Sequence, residues 1–226
     1  MNLAPVLLWV VVGALVGRFA VVPVAETLPD PDPLKPRSRT IIIVASALLF
    51  ALAANKFTTW WVAIPYSGLF AVLLCVSVID LRVYRIPDRI VFPSVLVSLP
   101  VLGVAAYGLD ARNVSVWQFM QSALVGMAAY FLILLPFNLV YPKGMGFGDV
   151  KLALLMGLYL GWLAAGGLFQ AFYFVMVALL IGCVLGVVFG LAVRVMRRAG
   201  GAFPFGPALA LGVIYVVLNF EQYIRT

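Results

Sequence analysis

Val62 to Arg89 reads VAIPYSGLFAVLLCVSVIDLRVYRIPDR. Its first eighteen residues carry no charge, and the run ends in Asp80. A membrane-crossing helix needs about 20 mostly apolar residues. The stretch therefore reads as a spanning helix followed by a basic turn at the bilayer surface. The pattern recurs along the whole chain of 226 residues, which is 65% hydrophobic and only 10% charged. A soluble chain has roughly 45–50% apolar and ~25% charged residues. With a mean hydropathy of +1.15, a soluble domain, a disordered chain and a disulfide miniprotein are all excluded. The expected fold class is all-α, a polytopic membrane helix bundle of about eight transmembrane helices. Residues 1–226 are read as a single integral membrane domain.

The expected helices are about Leu3–Val24, Ile41–Ala54, Val62–Asp80, Ile90–Tyr107, Val116–Val140, Val150–Ala165, Leu168–Val193 and Pro207–Phe220. The first run lacks the basic start of a signal peptide and is read as a retained helix. Glu26 to Thr40 holds four prolines and is expected to be a short loop without regular helix. Trp60 and Trp61 suit a membrane interface.

Alternation of eight helices sorts the basic residues. Lys35, Arg37, Arg39, Arg82, Arg85, Arg89, Lys143, Lys151, Arg194, Arg197 and Arg198 fall on one face. Only Lys56, Arg112 and Arg225 fall on the other, and Arg18, inside the first helix, can snorkel to the basic side. Cytoplasmic loops collect Lys and Arg, so the crowded face is expected to be cytoplasmic. The net charge of +7 is thereby a matter of topology rather than a sign of a nucleic-acid partner. The chain has no His, which removes His metal ligands and His general bases. Cys75 and Cys183 lie deep in separate apolar runs and read as packing residues.

Two acids stand out. Asp80 closes an apolar run, and Asp149 opens a helix after Gly144, Gly146 and Gly148. The topology puts both on one side at similar depth. A carboxylate at hydrocarbon depth is costly and usually faces a bundle interior or a watery cavity. One reading is local: the acids cap helices or pair with Arg82 and Lys151. The sharper reading brings them together. Two close carboxyls do not both ionise easily, so one keeps a proton. Such a pair activates water and protonates a leaving amine, the shared-proton chemistry of aspartic peptidases. The alternating glycines point to a backbone that another helix or a substrate approaches closely.

Three motifs carry a family resemblance. Ile79-Asp80-Leu81 followed by Ile86-Pro87-Asp88 resembles the first-aspartate motif of the prepilin peptidases. Gly146-Phe147-Gly148-Asp149, with Lys151 and Leu152 after it, resembles their GxGD motif. Pro204-Phe205-Gly206-Pro207, followed by Ala208 to Gly212, resembles their C-terminal signature. The resemblance runs from about Val62 to the C-terminus. It implies an intramembrane aspartic endopeptidase that removes the basic leader from type IV pilin or pseudopilin precursors at the cytoplasmic face of the inner membrane. It also implies Asp80 and Asp149 as the catalytic pair, Gly146 and Gly148 as shapers of the approach, and Asp88 and Lys151 as motif positions of the site.

Larger members of that family carry two CxxC pairs in the first cytoplasmic loop, forming a zinc site beside an N-methyltransferase function. Here Glu26–Thr40 has no cysteine, so the expectation is a peptidase with no metal and no cofactor, and without methyl transfer. The expected partners are a pilin or pseudopilin precursor and the lipid bilayer. Related GxGD proteases of the preflagellin or signal-peptide-peptidase type are the nearest alternative, since Pro207-Ala208-Leu209 also reads as a PAL triplet. A transporter or membrane scaffold is the alternative from another class.

Overall fold

Backbone polar groups in hydrocarbon must be satisfied within the chain, and a helix does this segment by segment. The structure, a computed structural model, describes residues 3–27, 33–109, 114–140, 146–197 and 204–220, and every regular element among them is helical. Arg112, Lys143, Gly144, Arg198 and Arg225, named above, lie outside the described residues. α1 (Leu3–Val16) continues through a π-helical turn (Gly17–Val21) into α2 (Val22–Glu26), and together they make one span, Pro5–Glu26. The wider turn comes just before Pro23, which has no N–H for the ladder. α3 (Pro36–Lys56), α4 (Trp60–Val83), α5 (Asp88–Gly108), α6 (Val116–Val140) and α8 (Leu168–Arg197) are the other long apolar helices. α7 (Phe147–Leu163) and α9 (Gly206–Asn219) are shorter. The chain is thus an all-α polytopic membrane protein, and among the described residues the α1–α2 segment and α3–α9 make eight helical segments.

One boundary needs correction. The loop expected over Glu26–Thr40 ends sooner, because α3 begins at Pro36. Proline is well suited to a helix's first turn, where its missing N–H is not needed. Three further prolines precede Pro36, and the helix starts where they stop. α4 also runs past its expected end, so Asp80 sits in its last turn. Tyr84 terminates α4 in the left-handed region (φ 53°), donating its N–H to the Asp80 carbonyl at 2.9 Å.

α7 is the centre of the bundle. Thirteen of its seventeen residues are buried, and it packs against α5, α6, α8 and α9. Its 17 residues therefore present almost no lipid face. The α6–α7 crossing is close because glycine faces glycine. A methyl built on Gly126 would lie 2.7 Å from the Gly161 Cα, and one on Gly157 would lie 2.9 Å from the Met127 Cα. Small residues at a crossing let backbones meet, which gives membrane helices their packing energy. The Tyr66 hydroxyl (α4) donates to the Tyr159 carbonyl (α7) at 3.0 Å, and the Tyr159 and Ser98 (α5) hydroxyls pair at 3.1 Å. These buried polar links fix α4 and α5 on α7. α1 and α3 form a flanking pair seated on α4, with Gly13 against Phe50 and Gly17 against Ser46.

Candidate active site

The end of α2, the α4–α5 turn and the starts of α7 and α9 gather at one end of the bundle. The Arg82 guanidinium donates to the Ala25 carbonyl at 2.8 Å, tying the end of α2 to the end of α4. The α4–α5 turn inserts Ile86 between the starts of α7 and α9, against Gly148 and Gly206. These are the connections that alternation assigns to the basic face.

Asp80 and Asp149 meet there. The last turn of α4 and the first turn of α7 carry them in from antiparallel helices. Asp80 is 5% exposed and Asp149 6%, so both carboxyls are nearly sealed. A methyl built on Gly206 would lie 2.9 Å from Asp80 Oδ2 and 3.4 Å from Asp149 Oδ1. Those two oxygens therefore border the same small gap. The Gly206 N–H donates to Asp80 Oδ2 at 3.2 Å. Asp149 Oδ1 is buried and has no hydrogen-bond partner among the described residues. Leaving a buried acceptor unpaired costs about 1–3 kcal/mol, and a catalytic role is one of the explanations such a group invites. The arrangement, two buried carboxyls from different helices facing one gap, is the one general acid–base hydrolysis needs.

The other expected residues take distinct places. Gly148 is crowded: a methyl there would come within 2.8 Å of the Ile86 Cβ. Among the described residues nothing lies nearer to a methyl on Gly146 than Asp149 Oδ2 at 3.8 Å. Gly146 precedes α7 in extended conformation, and its carbonyl accepts the Asp149 N–H at 3.1 Å. Asp88 and Lys151 pair with each other. Lys151 Nζ lies 2.7 Å from both Asp88 oxygens, 4.9 Å from the Phe147 ring and 5.7 Å from the Phe92 ring. This pair joins the start of α5 to α7 and balances its own charge. The Asp88 side chain is half exposed, so the link is worth about 0–1 kcal/mol.

Gly206 and Ile86 stand within the motifs, yet nothing in their residue types announces contact with the carboxyls. A glycine between Phe205 and Pro207, opening an apolar helix, was the available signal.

The sequence model of the type IV leader peptidase family matches residues 67–191 of this chain, from α4 into α8. A prepilin leader peptidase/N-methyltransferase of Bacillus subtilis is 33% identical over 183 residues, covering 80% of this chain and 66% of that protein. One from Pseudomonas aeruginosa is 31% identical over 193 residues, covering 82% and 60%. One from Aeromonas salmonicida is 28% identical over 175 residues, covering 76% and 54%. The matches thus take in between about half and two thirds of these relatives' lengths. No solved structure is significantly similar to the chain.

Proposed function

From the premise that the chain belongs to the type IV leader peptidase family, we propose that it is an intramembrane aspartic endopeptidase. Its substrate is a type IV prepilin or pseudopilin, and it removes the basic leader at the cytoplasmic face of a bacterial inner membrane. Residues 1–226 serve as one peptidase domain. One observation carries the mechanism: Asp80 and Asp149, both buried, border a common gap beside Gly206.

In this reading the precursor's apolar helix lies in the bilayer against the bundle, and its scissile bond reaches the gap from the end where the basic connections gather. One aspartate, ionised, takes a proton from water while the water oxygen bonds to the scissile carbonyl carbon. The other, protonated, donates a hydrogen bond to the carbonyl oxygen as it gains charge. Collapse of the tetrahedral intermediate breaks the C–N bond, and a carboxyl proton passes to the leaving amine. The struts between α4, α5 and α7 hold the pair in place, as positioning to a few tenths of an ångström requires. Asp88 and Lys151 act on the site's frame, and Gly148 lets Ile86 close over it. Methyl transfer is not part of the proposed activity. No cysteine stands between α2 and α3.

The test is incubation of the purified protein, in liposomes, with full-length prepilins and pseudopilins, followed by intact mass. The expected product has lost its leader by a single hydrolytic cut. Unchanged precursor mass across the whole panel would contradict the proposal.

A further inference from the structure

Gly206, in the Pro204–Pro207 signature and beyond the 67–191 segment that the family model matches, touches both candidate carboxyls. Its local chemistry explains why. The first turn of a helix leaves N–H groups without intrahelical partners. In α9 the residue before the helix, Phe205, supplies no side-chain cap. Pro207 has no N–H. The Ala208 and Leu209 N–H groups both bond to the Phe205 carbonyl, at 3.1 and 3.2 Å. The Gly206 N–H is the donor left over, and it goes to Asp80 Oδ2, 126 residues away in sequence. Asp80 thus caps α9 from another helix, at the positive end of the α9 dipole.

We propose that the first turn of α9 is a third working part of the active site, with Gly206 as its positioning residue. This inference rests on the peptidase reading above. The torsion that turns a carboxyl about its last bond is soft and broad. Binding one oxygen to a fixed amide removes that freedom and leaves the second oxygen of Asp80 for water or substrate. The amide is itself held firmly. A methyl on Gly186 of α8 would lie 2.8 Å from the Phe205 Cδ2, so the Phe205 ring sits flush on that helix, and Gly212 of α9 packs against Ala178 and Gly182. The missing side chain matters as much as the N–H. Any Cβ at 206 would stand 2.9 Å from one carboxyl, 3.4 Å from the other and 3.2 Å from the Ile86 Cδ1. Only glycine lets the α9 backbone, and with it the 206 N–H, come this close to both acids.

Two glycine variants separate positioning from packing. In Gly206→Ala the methyl meets both carboxyls. Its kcat is expected to fall by about a hundredfold, as a misplacement near 1 Å at a reacting group does, with KM little changed and a drop in unfolding temperature no larger than that of a packing variant. In Gly13→Ala the methyl meets Phe50 of α3, in the flanking pair away from the carboxyls, so the unfolding temperature drops while kcat per folded molecule stays near wild type. A Gly206→Ala enzyme that cleaves at the wild-type rate, or whose loss follows its loss of folded protein, would overturn the proposal. Amide exchange across residues 204–212 adds a readout that needs no catalysis. Asp80→Ala is expected to speed exchange in the first turn of α9, whereas Asp88→Ala leaves it unchanged. Unchanged exchange in Asp80→Ala would overturn the anchoring even if Gly206→Ala failed to fold. If Asp80→Ala speeds exchange while the wild type cleaves no precursor, the anchoring stands and the peptidase reading falls.

Discussion

Gly148→Ala asks whether the α4–α5 turn and the Asp80 carboxyl are mechanically linked. The added methyl would sit 2.8 Å from the Ile86 Cβ, and 3.4 Å from its Cγ1 and N. Carbon atoms rest at about 3.5–4.0 Å, so Ile86 has to retreat by roughly 1 Å. Rotation about χ1 brings no relief, because the obstructing atom is the Cβ itself. The backbone of the turn must move instead. That turn is short, and Tyr84 closes it with a 2.9 Å bond back to the Asp80 carbonyl. The displacement is thus passed to the last turn of α4. Overpacking of this kind costs about 1–3 kcal/mol of stability, and a 1 Å shift of a reacting group costs on the order of a hundredfold in rate. Gly146→Ala is the matched comparison, since among the described residues its methyl meets nothing nearer than 3.8 Å. Prepilin cleavage at saturating substrate, with thermal unfolding of each purified variant, gives both quantities. The expected order is a loss of about 10–100-fold for Gly148→Ala and a far smaller one for Gly146→Ala. Equal rates for the two variants would refute the link.

Gly126→Ala pushes a methyl into the Gly157 carbonyl and the Gly161 Cα across the α6–α7 crossing. It is expected to lower stability by about 1–3 kcal/mol, read by thermal unfolding in detergent. A double-mutant cycle on Asp88→Ala and Lys151→Ala is expected to give a coupling of about 0.2–1 kcal/mol and no more than a severalfold effect on cleavage. A larger effect on kcat would place this pair in the chemistry. Sidedness is read with single cysteines in a cysteine-free background. Arg85→Cys is expected to react with an impermeant maleimide only after the membrane is opened, and Asn55→Cys in intact cells. The reverse pattern would invert the proposed orientation.

Much of this architecture is legible in the residues. α6 spans the residues expected of it, Val116–Val140, because Asn113 and Ser115 precede the mainly apolar stretch and Pro142 and Lys143 follow it. α3 was read too short, since the proline count hid the fact that one proline, Pro36, is a good helix opener. The burial of α7 was not legible: its apolar residues surround it on all sides, and composition alone does not distinguish a lipid face from a protein face. Asp80 and Asp149 stood out because an acid at the end of an apolar run is expensive anywhere else. Asp88 and Lys151 were singled out by motif, and only the fold showed that they satisfy each other. Gly206 escaped notice as a site residue because its contribution is a backbone N–H and an empty volume, and neither is written in a residue type. The π-turn at Gly17–Val21 likewise depends on backbone register, which the sequence around Pro23 only suggests.

The central claim is that Asp80 and Asp149 act as a pair. Its most direct test is cleavage of a co-expressed prepilin in membranes by wild type, Asp80→Asn and Asp149→Asn, each at matched membrane level. The exchange of one carboxyl oxygen for an amide keeps shape and removes the acid. The account predicts that wild type releases the leader and that each variant alone abolishes release. Full cleavage by either variant would contradict it.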